Sequence, residues 1–167
     1  MPRVGSLSPR EASVAELGLE VHLHVEHWRG RRKLWEYKGG DLIGSPGRDL
    51  LANRIGTADP AGRGRYIRAS AIGTSNTAPA VGQTKLGSVV YQGTAPFVKS
   101  SPAGSATFNR SFVIGSTYSI RESGLFIGTR HSATLRGTMY SRGTFPVRSV
   151  VSGDKITVNY SIGFTSG

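Results

Sequence analysis

The chain contains no cysteine, which excludes disulfide staples, thiolate nucleophiles and cysteine-ligated metals together. It has no run of 18 apolar residues, so no membrane-spanning helix is expected, and residues 1–17 lack the apolar centre of a secretion signal. The expectation is a soluble protein made and used without export. Acids are scarce in the second part of the chain. After residue 65 only Glu122 and Asp154 remain, against 10 Lys and Arg, whereas residues 1–65 hold 8 acids and 11 bases. Recognised catalytic signatures are missing as well: there is no Gly-x-Ser-x-Gly, no His-Glu-x-x-His and no Gly-x-x-x-x-Gly-Lys, and Gly62-Arg63-Gly64 alone is no phosphate loop. Two acids could serve as a general acid and base only if they flanked a cleft. Asp154 stands in a Ser-Gly-Asp turn, and Glu122 sits among bases, where a structural ion pair accounts for it. Arg121 and Glu122 are the ion-pair candidates, with Arg110 and Arg142 as further cations for Glu122. No enzyme and no cofactor is expected.

What is present is glycine, 23 residues of 167, with charged residues at only 19%. That mixture favours many short strands joined by Gly and Ser turns. Val151–Thr165 shows it most clearly. After the turn at Ser152-Gly153-Asp154, Ile156, Val158, Tyr160, Ile162 and Phe164 alternate with Lys155, Thr157, Asn159, Ser161 and Gly163. One face of this strand is apolar and must cover a core. Leu19–Trp28 alternates likewise, with Leu19, Val21, Leu23 and Val25 on one face. Arg29-Gly30-Arg31-Arg32 then turns the chain into Lys33–Lys38, a hairpin with a cationic tip. Ser45-Pro46 reads as N-cap and first helical residue, and Leu50, Leu51 and Ile55 continue a helix over 46–55. Further strands are expected at Tyr66–Ile72, Leu86–Gln92, Ser105–Ile114, Tyr118–Ile127, Thr138–Arg142 and Phe145–Val147. Loops are expected at 57–65, 74–85, 93–104 and 129–135. Arg110 interrupts an apolar face, which places it at a rim or against an acid.

These elements predict an antiparallel β-sandwich or jelly-roll-like domain over 19–167, with one flanking short helix. Residues 1–18 form an N-terminal arm in which Ser8-Pro9-Arg10-Glu11 matches a capping box for a short helix. The candidate partner-binding residues are Arg3, Val4 and Leu7 in the arm and Arg29, Arg31, Arg32 and Lys33 at the hairpin tip. Glu20, His22, His24 and Glu26 share the polar face of the first strand. Imidazoles at i and i+2 do point the same way. A zinc site nevertheless needs three or four converging ligands, and the remaining histidines are His27 on the opposite face and distant His131. A solvated face paired to Lys33 or Lys38 is the preferred reading, and no metal is assigned.

The formal charge of +11 suits an acidic partner. The ten bases after residue 65 are spread evenly rather than clustered between stacking aromatics, so nucleic acid is a remote alternative. Trp28 and Trp35 flank the hairpin and would be the platform of a glycan-binding jelly roll, or would simply pack across strands.

Several segments together resemble small virion structural proteins of tailed bacteriophages. Tyr118-Ser119-Ile120-Arg121-Glu122-Ser123-Gly124-Leu125-Phe126 is similar to their "sY-x-I-x-E-x-GLF" segment. Ser152-Gly153-Asp154 with the strand after it resembles their C-terminal ending. Asp41-Leu42-Ile43, Gly47 and Leu50-Leu51 resemble "N-L-I-x-x-x-G-x-x-L-L", with Asp41 where Asn is common. Tyr66-Ile67, Ile72-Gly73-Thr74, Ala78-Pro79-Ala80 and Thr84-x-Leu86 resemble a further stretch, although Ala69–Ala71 is longer and less Gly-rich than that pattern. The resemblance covers about residues 19–164. It implies a non-enzymatic particle component, a capsid decoration or cement protein bound to the major capsid protein, or alternatively a tail, baseplate or fibre-attachment protein. A virion location and a homo-oligomer, with a trimer favoured by analogy to threefold spikes, follow from the same resemblance.

Overall fold

The computed structural model describes residues 17–48, 66–95, 97–99, 105–128 and 138–166. The arm with Arg3, Val4 and Leu7, the loops at 57–65 and 129–135 and most of the expected helix lie outside them. Residues 45–48 are helical, which is where the Ser45-Pro46 signal starts that helix.

Ten strands follow one another: β1 (Leu17–Arg29), β2 (Arg32–Gly40), β3 (Leu42–Ile43), β4 (Tyr66–Gly73), β5 (Val89–Thr94), β6 (Phe97–Lys99), β7 (Ser105–Val113), β8 (Tyr118–Gly128), β9 (Met139–Val150) and β10 (Asp154–Ser166). They form two antiparallel five-stranded sheets. Sheet A has the order β2-β1-β10-β7-β6 and sheet B the order β3-β9-β8-β4-β5. The expected sandwich-like architecture is therefore present, and two of its ten strands, β3 and β6, were not among those expected. β6 fell in a stretch rich in Pro, Gly and Ser. The two short runs at 138–142 and 145–147 are one strand, β9. Its Pro146 is exposed and lies where the β8–β9 ladder shifts register between Ile120 and Glu122. A proline costs no ladder hydrogen bond at such an interruption.

The two turns foreseen beside β1 and β10 are tight because Gly30 (φ +57°) and Gly153 (φ +87°) adopt left-handed conformations that other residues avoid. β1 and β10 then pair along thirteen positions, from Leu17 opposite Ser166 to Arg29 opposite Asp154. This long register brings Val21, Leu23 and Val25 alongside Ile156, Val158, Tyr160 and Ile162, all buried. They meet Ile72, Ile120, Leu125, Ile127, Tyr140 and Val150 of sheet B in one core. Burying each such aliphatic side chain contributes about 1.5–3 kcal/mol. A polar tie crosses between the sheets: Tyr160 donates to Ser123 Oγ at 2.5 Å, and Ser123 donates to the Ala71 carbonyl at 2.9 Å.

The outer faces of the two sheets differ. Ala71, Phe126 and Met139 face outward from sheet B and are covered by Leu86, a residue of the 74–88 connection that leaves and re-enters the sheet. Leu86 was expected to begin a strand and instead serves as this lid. Sheet A has no such cover among the described residues. Its outward positions form cross-strand rows: Lys38, His24, Asn159 and Asn109; Glu36, Glu26, Thr157 and Ser111; Lys33, Trp28, Lys155 and Val113.

Candidate functional site

Three carboxylates, those of Glu122, Asp154 and Asp41, are shut away from solvent. Glu122, on the outward side of β8, is fully buried under the 74–88 connection. Its carboxylate accepts backbone N–H groups from Ser75 (3.2 Å), Gly87 (3.1 Å) and Ser88 (2.8 Å) and the Nε of Arg142 (2.9 Å). Arg142 Nη1 in turn donates to Gln83 at 2.9 Å. The expected ion pair exists, but its cation is Arg142 rather than Arg121. Neighbouring residues of a strand face opposite ways, and Arg121 sits at the register shift, whereas Arg142 lies diagonally across on β9 within reach of Glu122. Gly73 is required here, because a Cβ would stand 2.3 Å from the Ser88 carbonyl and 2.4 Å from Glu122 Oε1.

Asp154 is more than a turn residue. Its carboxylate is buried and accepts Arg29 Nε (2.7 Å) and Nη2 (3.0 Å), His27 Nε2 (2.8 Å) and the Val151 amide (3.0 Å). The Arg29 hydrogen bonds, against the opposing cost of burial, hold its pKa well below the usual carboxylate range. Arg148 Nε donates to His27 Nδ1 at 2.7 Å. Because a guanidinium only donates, Nδ1 is the acceptor and Nε2 carries the His27 proton. An acid and a histidine thus meet between the sheets, both buried, and their hydrogen-bonding positions are taken by Arg29, Arg148 and the Val151 amide, with Arg29 itself reaching solvent.

Asp41 is the opposite case. It lies where the chain crosses from sheet A to sheet B, and its amide donates to the Val21 carbonyl at 2.9 Å. Both carboxylate oxygens are buried without a hydrogen-bond partner among the described residues, as are the Tyr140 and Ser141 hydroxyls and Arg142 Nη2. Burial pushes the Asp41 pKa up to about 7. The Ser141 hydroxyl, the Leu42 amide and the Arg142 charge ease the ionised form only in part, since neither neighbour closes a well-formed hydrogen bond. Burial also raises Tyr140 to about 12, helped by the nearby Asp41 charge.

The surface candidates at the hairpin tip separate into two kinds. Arg29 is tied to Asp154, which raises its pKa. Lys33 bridges Glu36 (2.7 Å) and Glu26 (3.3 Å), with its ammonium 5.9 Å from the Trp28 ring centre. Arg31 and Arg32 are exposed at the turn. The cationic tip is therefore narrower than the sequence implied, because two of its four bases are engaged within the chain. Trp35 packs on Tyr37 and Phe145, and Trp28 has Lys33 and Lys155 over its ring. Neither tryptophan offers a bare platform for a sugar. Arg110 pairs with no acid among the described residues; it lies half-buried at the rim where β7 has run past the end of β6, its guanidinium 5.6 Å from the Phe112 ring centre and against Gly93 of β5.

The accessible chemistry lies on the outer face of sheet A. A groove of about 590 Å³ there is lined by His22, His24, Lys38, Thr107, Asn159 and Ser161, among others. Thr157 and Ser111 share a hydroxyl hydrogen bond of 2.8 Å, and Asn109 donates to Asn159. Along β1 alone, His24 and Glu26 share a face with Glu20 and His22. His22 pairs with Glu20 (3.1 Å), and His24 approaches Glu36 of β2 (3.4 Å) and Glu26 (3.8 Å). Glu36 was missed because only the hairpin register brings it opposite Glu26. No helix among the described residues is long and apolar enough to cross a membrane. Comparison with protein-family models, curated proteins and solved structures finds no match.

Proposed function

We propose that the chain is a non-enzymatic virion structural protein of the tailed-bacteriophage type, one that decorates the head shell by docking its basic body on an acidic capsid lattice. The supporting observation is the disposition of its charges. Glu122 and Asp154, the acids that could have done acid–base work, are enclosed and saturated with donors, while residues 66–167 carry ten bases against those two acids. The segment that resembles phage proteins, residues 118–126, is the central strand β8, and its Glu122, Gly124, Leu125 and Phe126 are all buried. That likeness is one of architecture, so recognition falls to the surface: the bare polar face of sheet A and the exposed Arg31 and Arg32. A homotrimer is the favoured assembly by analogy with threefold spikes.

The test is co-sedimentation of the purified chain with expanded, undecorated phage heads. Binding that weakens as salt rises, together with heads that resist heat better once coated, is the expected result. Failure to bind heads at low salt overturns the decoration role. Immunogold imaging of intact particles then distinguishes the head from the tail, baseplate or fibre.

A further inference from the structure

We infer that His24, Glu26 and Glu36 form a binding site for a divalent first-row transition ion such as Zn²⁺, and that Lys33 is the built-in cation which that ion displaces. Two features of the β1–β2 hairpin lead there. The first is ligand convergence. His24 Nε2, a Glu26 oxygen and a Glu36 oxygen all lie within 4.8 Å of one another, with His24 3.4 Å from Glu36 Oε2 and 3.8 Å from Glu26 Oε1. Ligand atoms bonded at about 2.1 Å around a tetrahedral ion stand about 3.4 Å apart. The three side chains therefore need to close only slightly to take an ion, and one imidazole with two carboxylates suits zinc and its neighbours.

The second feature is an electrostatic debt in the ladder. Glu26 and Glu36 are directly opposite each other on paired strands, an arrangement that repels unless a cation lies between them. Lys33 Nζ occupies that place, 3.3 Å from Glu26 Oε1 and 2.7 Å from Glu36 Oε2. These are the two oxygens that also face His24. The seat thus already selects positive charge, and its occupant is a flexible ammonium that can swing into solvent. Trp28 Nε1 donates to the other oxygen of Glu26 at 3.3 Å. It holds that carboxylate with Oε1 turned to the seat, as outer partners of metal ligands do. Once Lys33 is displaced, water or a donor from a docked partner can complete the ion's coordination, and His24 itself also lines the groove on the sheet A face.

The experiment titrates the full chain with Zn²⁺ by calorimetry and with Co²⁺ by visible absorption, with circular dichroism confirming that each variant is folded. The wild type is expected to take up one ion. Lys33→Met is expected to tighten binding about fivefold, because a competing surface cation is removed. His24→Gln and Glu36→Gln should each weaken it about tenfold or more. His22→Gln should change nothing, since His22 pairs with Glu20 outside the seat. The inference is overturned if neither the wild type nor Lys33→Met binds Co²⁺ at millimolar concentration. It is equally overturned if Lys33→Met fails to tighten binding, or if His22→Gln weakens it as much as His24→Gln. The assembly role proposed above stands or falls separately, on binding to heads.

Discussion

The two sides of sheet B treat a buried carboxylate in opposite ways. On the outward side, Glu122 sits under the 74–88 connection and receives three amides and a guanidinium. On the inward side, Asp41 reaches toward Gly143, Leu23 and the Tyr140–Ser141 bulge and receives nothing well formed. Arg142 stands between them, committed to Glu122 through Nε and only acting at a distance on Asp41. Both carboxylates are shut off from solvent, so that alone does not decide whether a charge is tolerated. The supply of donors decides it, and here the donors come from a loop that folds over the outward side alone. One acid holds the structure together, and the other is a proton-dependent weakness within it.

The largest effect should come from breaking the well-supplied side. Glu122→Ala leaves Arg142 buried without its partner and three amides without an acceptor. A loss of about 3–5 kcal/mol is expected in urea unfolding at pH 7, with early proteolytic cutting in the 74–88 connection. Asp41→Asn should act in the other direction. The folded-state pKa of about 7 lies above the ordinary 3.8, so the folded form holds its proton more tightly than the unfolded form. Asp41 therefore costs nothing below about pH 4, and stability is lost as pH rises toward and through 7. The Asn variant should match the wild type at pH 4 and exceed it by about 2–4 kcal/mol at pH 8, measured as urea midpoints across a pH series. Equal gains at both pH values would show that Asp41 is not the titrating group. Smallest is Gly73→Ala, which leaves both carboxylates intact but pushes a methyl against the Ser88 carbonyl and Glu122. A loss of about 1–3 kcal/mol is expected, and no loss at all would mean that the cradle around Glu122 is looser than its hydrogen bonds indicate.

Local patterns were readable and distant pairings were not. The alternation in 156–164 and 19–25 announced β10, β1 and the inward core, and Gly30 and Gly153 marked their turns. The run Tyr118–Ile127 announced β8. The partner of Glu122 could not be chosen among three arginines, because the choice depends on how β8 and β9 slip at Arg121. The union of His27 with Asp154 spans 127 positions and appears only once β1 and β10 are aligned. Glu36 joined His24 and Glu26 for the same reason, through the β1–β2 register. β6 carried too few residues, Phe97–Lys99, for any period to register. No local pattern marked Asp41 as a buried carboxylate. Its meaning emerged from the crossover that encloses it, where a neutral side chain is favoured.

The thirteen-position pairing of β1 with β10 sets both ends of the described chain side by side, Leu17 against Ser166, and puts the Gly30 turn at the far pole. Tension applied between these two ends would load the ladder one rung at a time, peeling it like a zipper, whereas a pull directed along the strands from opposite poles would strain many rungs in parallel. A tether attached at either end should therefore share one anchorage, and the molecule should resist force best when it is gripped at that pole and pulled by the hairpin.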